Sequence, residues 1–73
     1  MIYSDFKNFG ELMIYYRGLK NIKQYELAEK TGLSRVTISH AETGDKITLV
    51  NKIKIMRALD VPDEIVQEFK RYN

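Results

Sequence analysis

The chain has 73 residues, of which 44% are hydrophobic, 12 are basic and 10 are acidic, so its formal net charge is only +2. This length predicts one small domain spanning residues 1–73, with a modest hydrophobic core. Cysteine is absent, which excludes disulfides and thiolate metal sites, and neither a long apolar run nor a signal-peptide pattern occurs, so we expect a cytoplasmic protein without a membrane segment.

The first helix is predicted from an apolar pattern that begins at Phe9. Residues 1–8 are ambiguous: they begin this helix, with Ser4 or Asp5 as its N-cap, or they form a short arm on the core. From Phe9 onward the apolar residues follow the i, i+3, i+4, i+7 spacing of an amphipathic helix: Phe9, Leu12, Met13 and Tyr16. We expect Leu19 and Ile22 to close the bottom of the core.

Two short helical segments follow, separated by one break. The first begins near Lys23, whose ammonium cannot accept an N–H hydrogen bond, so we expect a capping loss of about 1 kcal/mol, partly offset by Glu26. Gly32 accepts the left-handed backbone conformation that ends a helix and turns the chain. Ser34 then offers its hydroxyl to cap a new helix. This arrangement, two helices joined by a short turn with glycine, is typical of a helix-turn-helix.

The second half of the chain predicts two further helices. Leu49, Val50, Ile53 and Met56 are expected to form the buried stripe of the fourth helix. Pro62 suits the first turn of the fifth helix, whose apolar residues are Ile65, Val66, Phe69 and Tyr72. The sequence therefore predicts an all-α protein, a compact bundle of five short helices without a strand.

The helix that begins after Ser34 has two faces of different chemistry. Ile38 and Ala41 lie three residues apart and share an apolar face. The opposite face carries Val36, Ser39 and His40, flanked by Arg35 and Thr43. A cation, a methyl pair, hydroxyls and an imidazole on one exposed face are suited to reading the edges of DNA bases.

Residues 24–44 resemble the phage Cro/repressor-like helix-turn-helix family, also called the xenobiotic-response-element type. The residues that carry the resemblance are Gln24, Glu26-Leu27-Ala28, Gly32, Ser34, Thr37-Ile38-Ser39, Glu42 and Gly44, extended by Phe9-Gly10-Glu11-Leu12, Arg17, Ala58-Leu59 and Val61. The resemblance implies a lambda-repressor-like DNA-binding domain with its motif core at 24–44. It also implies that the helix at about 34–43 enters the major groove of double-stranded DNA.

The family's roles transfer to individual residues of this chain. Base contacts are implied for Arg35, Val36, Thr37, Ser39 and His40, and phosphate contacts for Gln24, Lys23, Thr43 and Lys46. Gln24 is also implied to brace the recognition helix. Arg17 and Glu42 match a pair that joins the first helix to the end of the recognition helix; two independent surface charges are the alternative. Solvated side chains are the alternative for Lys23 and His40.

Two residues depart from the family pattern. Lys52 stands where relatives more often carry leucine, and we expect the fourth helix to adjust by burying Val50 and Ile53 instead. Asp45 follows a glycine after which relatives often carry a cation. Its carboxylate would repel a nearby phosphate, so we expect modest affinity or a loop that turns away from DNA.

The resemblance favours a Cro-like repressor of phage or mobile-element origin that binds a near-palindromic operator as a homodimer in the bacterial nucleoid. The dimer contact is expected at Phe69 and Tyr72 or at Tyr3 and Phe6, unless these aromatic residues pack within one subunit. The alternative function is a protein-interaction module, such as an anti-repressor, antitoxin or accessory subunit, which the low net charge favours. One histidine without a glycine-rich phosphate loop argues against an enzyme, so we expect no catalytic residue, metal, cofactor or small-molecule ligand.

Overall fold

The structure is a computed structural model that describes residues 6–44 and 46–69, and these ranges contain five α-helices and no strand. The helices are α1 (Phe9–Lys20), α2 (Gln24–Thr31), α3 (Arg35–Thr43), α4 (Leu49–Ala58) and α5 (Asp63–Phe69). The predicted all-α fold is confirmed. Several residues that carried expectations lie outside the described ranges: Tyr3, Ser4, Asp5, Asp45 and Tyr72.

Polar side chains set the first residues of three helices. The side chains of Asn8, Ser34 and Thr48 cap α1, α3 and α4, each by accepting a hydrogen bond from the backbone N–H three residues further on. Each bond satisfies one of the N–H groups that have no partner within the helix. The cap of α1 is therefore Asn8 rather than Ser4 or Asp5, because the helix begins only at Phe9, and the cap predicted at Ser34 is confirmed.

The hydrophobic core lies between all five helices. Its buried residues in the first three helices include the predicted stripe of α1 and the predicted inner face of α3: Phe9, Leu12, Met13, Tyr16, Leu27, Ala28, Ile38 and Ala41. The expectation for Leu19 is wrong, because its side chain is 64% exposed, whereas Ile22 packs against the core as expected. Leu19 lies on the side of α1 that faces away from the other helices, so it cannot reach the core.

The buried face of α4 differs from the predicted one. The residues that face the core are Lys52, Ile55 and Met56, while Leu49 and Val50 are exposed. The expectation that Val50 and Ile53 would be buried instead of Lys52 is therefore wrong for Val50, and Ile53 is only half-buried, whereas Met56 is buried as expected. The buried residues of α4 do follow the i, i+3, i+4 spacing of a helix face, but the first of them is a lysine. A prediction based on apolar residues alone therefore placed the buried face of α4 incorrectly.

Lys52 has a partner that explains its burial. Its side chain is only 1% exposed, and its Nζ donates a 3.0 Å hydrogen bond to the carbonyl oxygen of Phe69, the last residue of α5. The ammonium also lies 5.9 Å from the centre of the Phe9 ring. The end of a helix carries partial negative charge, which favours a cation there. Lys52 thus links α4 to the end of α5 through the core.

Phe69 and Phe6 pack within the chain. Phe69 is buried, and its ring centre lies 6.3 Å from that of Phe6 and 6.4 Å from that of Phe9. Phe6 also contacts the rings of Tyr15 and Tyr16. Of the two interpretations of these aromatic residues, packing inside one subunit is the correct one for Phe69, which is not accessible as a dimer contact.

Candidate nucleic-acid interface

The α2–turn–α3 unit has the geometry of a helix-turn-helix. Gly32 follows α2 with a φ of +76°, in the left-handed region that glycine adopts without strain, and its N–H donates to the Ala28 carbonyl at 2.9 Å. Ser34 begins the next helix: its Oγ accepts the N–H of Thr37 at 3.1 Å. Only Gly32, Leu33 and Ser34 separate the two helices, which fixes a sharp change of direction between them.

α3 is anchored on one side and accessible on the other. Ile38 and Ala41 are buried against the rest of the core. Arg35 and His40 are exposed, and Val36 exposes 62% of its surface. An exposed valine on an otherwise polar helix face has no packing role in the monomer, so it is available to an apolar group of a ligand. The structure therefore presents these three predicted base-contact residues to solvent.

The hydroxyls on α3 are less available than the sequence suggested. Thr37 is half-buried and its Oγ1 lies 3.0 Å from the Ser34 Oγ. Thr43 is exposed, but its hydroxyl donates its proton to the His40 carbonyl at 3.0 Å. A threonine hydroxyl has a single proton to donate. Thr43 must therefore rotate before it can donate to a phosphate, and Ser39, which is half-buried, is the third hydroxyl of this face.

Glu42, at the end of α3, is held by two side chains from other parts of the chain. The Arg17 guanidinium binds it with two hydrogen bonds, Nε to Oε2 at 2.7 Å and Nη2 to Oε1 at 3.2 Å. The Gln24 amide donates to the same Oε1 at 2.9 Å. The remaining Arg17 nitrogen, Nη1, donates to the Ile22 carbonyl at 3.1 Å. A two-point contact between guanidinium and carboxylate restricts both groups in angle as well as distance.

This network connects the start of α2, the end of α3 and the body of α1. The Glu42 side chain is only 7% exposed, so the pair is shielded from solvent more than a surface salt bridge is. Gln24 uses one amide N–H on Glu42, which leaves the other N–H and the carbonyl oxygen of the amide for a ligand. The family resemblance anticipated the Arg17 and Glu42 pair. Gln24, which the resemblance implies as a brace of the recognition helix, contacts the end of α3 through the same Glu42.

Gly10 is a positioning residue that the sequence reasoning did not single out. A methyl group placed on its Cα would overlap the Glu42 carbonyl oxygen and lie 3.1 Å from the carbonyl oxygen of Ala41. No side chain can occupy this space, so Gly10 allows α1 to approach the end of α3 closely. The signal was present in the sequence, since Gly10 is one of the residues that match the family.

The two lysines predicted to bind phosphate flank the motif. Lys23 precedes α2 and Lys46 follows α3, and both are exposed. As expected, the Lys23 side chain does not cap α2, while the Glu26 carboxylate accepts the Lys23 backbone N–H at 2.7 Å. The ammonium of Lys23 is thus free to extend into solvent beside the first turn of α2.

A search against protein-family models matches residues 13–66 of this chain to the helix-turn-helix family of the Cro/repressor-like type. The chain belongs to this helix-turn-helix family. No curated protein and no solved structure matches it significantly. The family is one of DNA-binding regulators. In the parts of the chain that the structure describes, no helix is both long and apolar enough to cross a membrane.

Proposed function

We propose that this helix-turn-helix protein is a sequence-specific transcriptional regulator, a Cro-like repressor of a phage or mobile element, whose α3 reads the major groove of double-stranded DNA. The observation that carries the proposal is the division of α3 into a face anchored by Ile38 and Ala41 and an exposed face with Arg35, Val36 and His40.

The chemistry of the exposed face suits base edges. Arg35 lies in the first turn of α3, the part of a recognition helix that reaches base edges, and its fork of donors matches O6 and N7 of guanine. Val36 lies next to it and can pack on a thymine methyl group. His40 lies about one and a half turns further along and can donate or accept. Ser39 and Thr37 complete the proposed set, Thr37 through its methyl group, because its hydroxyl contacts Ser34.

Phosphate contacts are proposed on both sides of this face. Lys23 and Lys46 offer exposed ammonium groups, and Gln24 offers the amide N–H that Glu42 does not use. The first turn of α3 contains no acidic residue, so its N-terminal partial positive charge is not cancelled locally. Such phosphate contacts position the protein on the DNA but do not distinguish one base sequence from another. Thr43 contributes only after its hydroxyl leaves the His40 carbonyl.

We further propose that the protein binds its operator as a homodimer on a near-palindromic site, because one small domain covers little DNA surface. The Arg17 and Glu42 pair then sets the angle of α3 relative to α1, so that both recognition helices enter successive major grooves in the same orientation. The alternative function is a protein-interaction module, which the low net charge of +2 supports. A folded protein that does not bind DNA would favour this alternative.

The test is a selection of random DNA duplexes by the purified protein at moderate salt. We expect an enriched motif with two-fold symmetry, whose two half-sites are separated by one turn of the DNA helix or a multiple of it. The test variant is Arg35→Ala, and its matched control is Arg57→Ala. Both remove an exposed arginine, the first from α3 and the second from α4. The proposal requires that only Arg35→Ala alter the selected motif. A folded protein that enriches no motif would contradict it.

A further inference from the structure

α1 has a second apolar surface that the rest of the described chain covers only in part, where the Tyr15 ring contacts that of Phe6. Ile14, Tyr15 and Leu19 are 50%, 48% and 64% exposed, and Gly18 is exposed between them. These four residues, called the outer face of α1 below, form a continuous patch because positions three and four apart adjoin on a helix surface. Three large apolar side chains grouped on one exposed helix face indicate an interaction surface rather than scattered exposure.

Within the described part of the chain, neither the contacts nor the backbone conformation of Gly18 requires a glycine. Its backbone is not in the left-handed region, and a methyl group on its Cα would meet no atom within 4 Å. A glycine inside a helix lowers the folding equilibrium constant about fivefold relative to alanine. Gly10, on the same helix, is required by its contact with α3. The missing side chain at Gly18 therefore leaves space for a group from outside the monomer.

We propose that the outer face of α1 binds the same face of a second copy of this chain, with the two α1 helices antiparallel. The positions of its residues are symmetric about one point, midway between Tyr16 and Arg17. A two-fold axis there places Tyr15 opposite the partner's Gly18, and Ile14 opposite the partner's Leu19. A two-fold interface must be complementary to itself. In this pairing, the Tyr15 side chain of each copy fills the space above the partner's Gly18, which has no side chain.

The ends of the paired helices are complementary in charge. Glu11 lies on the same side of α1 as the outer face and is exposed. In the antiparallel arrangement it lies beside the turn that carries the partner's Lys23, so a carboxylate meets an ammonium at each end. In an antiparallel pair, the partially positive N-terminal end of each α1 helix also lies beside the partially negative C-terminal end of the other. Nothing in this pairing requires a buried charge.

The pairing leaves α3 accessible. At 100° per residue, the centre of the outer face lies about 120° around α1 from Gly10 and Arg17, the residues that contact α3. The contact uses four residues a side, fewer than the roughly 20–30 a side of a stable interface, so the dimer is weak and depends on concentration. It is independent of the proposed function, since two copies pair whether or not DNA is present.

The test is sedimentation equilibrium of the full chain without DNA, at concentrations up to about 1 mM. The mass should rise from 8.6 kDa towards twice that value. Gly18→Ala should stabilise the monomer about fivefold and weaken dimerisation about tenfold, because its methyl group occupies the space of the partner's Tyr15. A purely structural role for Gly18 would not produce opposite effects on folding and association.

Two matched charge variants complete the test. Leu19→Lys and Val50→Lys each replace an apolar side chain that is more than 60% exposed, on α1 and on α4. Only Leu19→Lys should abolish dimerisation, and both should fold. A chain that stays monomeric throughout, a Gly18→Ala variant that dimerises as well as the original, or equal losses in Leu19→Lys and Val50→Lys would each overturn the proposal.

Discussion

Lys52 places an ammonium inside the hydrophobic core, and its burial lowers the pKa of that group below the ordinary 10.5. The charged form is disfavoured because it has left water for a site with one carbonyl partner, the Phe69 oxygen. The unfolded chain then binds this proton more tightly than the folded chain does. The contribution of Lys52 to the free energy of unfolding therefore rises with pH, up to 10.5.

Lys52→Met should remove this pH dependence and raise the free energy of unfolding near neutral pH by about 1 kcal/mol, since methionine fills the same space without a charge. The measurement is urea unfolding of both proteins from about pH 7 to pH 10.5. Tyr16, whose pKa burial raises above 10.0, opposes the trend, but it cancels in the difference because both proteins contain it. Parallel stability curves would contradict the argument.

Arg35 carries the second prediction at the level of a single residue. If its guanidinium contacts guanine, Arg35→Ala relaxes the preference at one base position by about 1–3 kcal/mol. Binding to unrelated DNA should change little, because that binding rests on phosphate contacts. Competition binding with operator variants measures both quantities. Uniform weakening across all sequences would instead mean that Arg35 contacts only the DNA backbone.

The orientation of α3 depends on contacts with α1, and Gly10 tests this dependence. Gly10→Ala forces a methyl group towards the Glu42 carbonyl, which must move, so we expect a loss of about 2 kcal/mol of stability. DNA affinity should fall further than this unfolding explains, because the end of α3 shifts. Gly18→Ala, on the same helix but in open space, is the control for the effect of the glycine-to-alanine change on stability alone.

Thermal unfolding followed by circular dichroism, together with DNA binding well below the melting temperature, separates the two effects of Gly10→Ala. A variant that loses stability but binds DNA normally at low temperature would show that α3 keeps its orientation without this close contact. In that case the Arg17 and Glu42 pair alone would be sufficient to position the helix.

The whole molecule carries little net charge, so its interaction with DNA depends on where the cations lie. Lys46→Ala should weaken binding to all sequences about equally and reduce the slope of log K against log salt by about one unit. Titrations at several salt concentrations measure this slope for specific and unrelated duplexes. If Lys46→Ala and Arg35→Ala behave alike, the proposed docking of α3 is wrong.

The sequence by itself determined the elements of this protein whose signals are local. The stripe from Phe9 to Tyr16, the turn at Gly32 and the cap at Ser34 depend on neighbours within a few residues, and all are present in the structure. The inner face of α3 was also predictable, since Ile38 and Ala41 follow helical spacing. The family resemblance added the pairing of Arg17 with Glu42, which no local pattern contains.

Only the tertiary structure decided which contacts form between elements. Lys52 is buried because the end of α5 supplies a carbonyl beside it, and that carbonyl lies 17 residues away in the chain. Gln24 joins Glu42, and Gly10 meets it, through the packing of three helices. Leu19 stays exposed because no helix of the described chain covers that side of α1. Periodicity reports which side chains share a face, but it does not report what lies opposite that face.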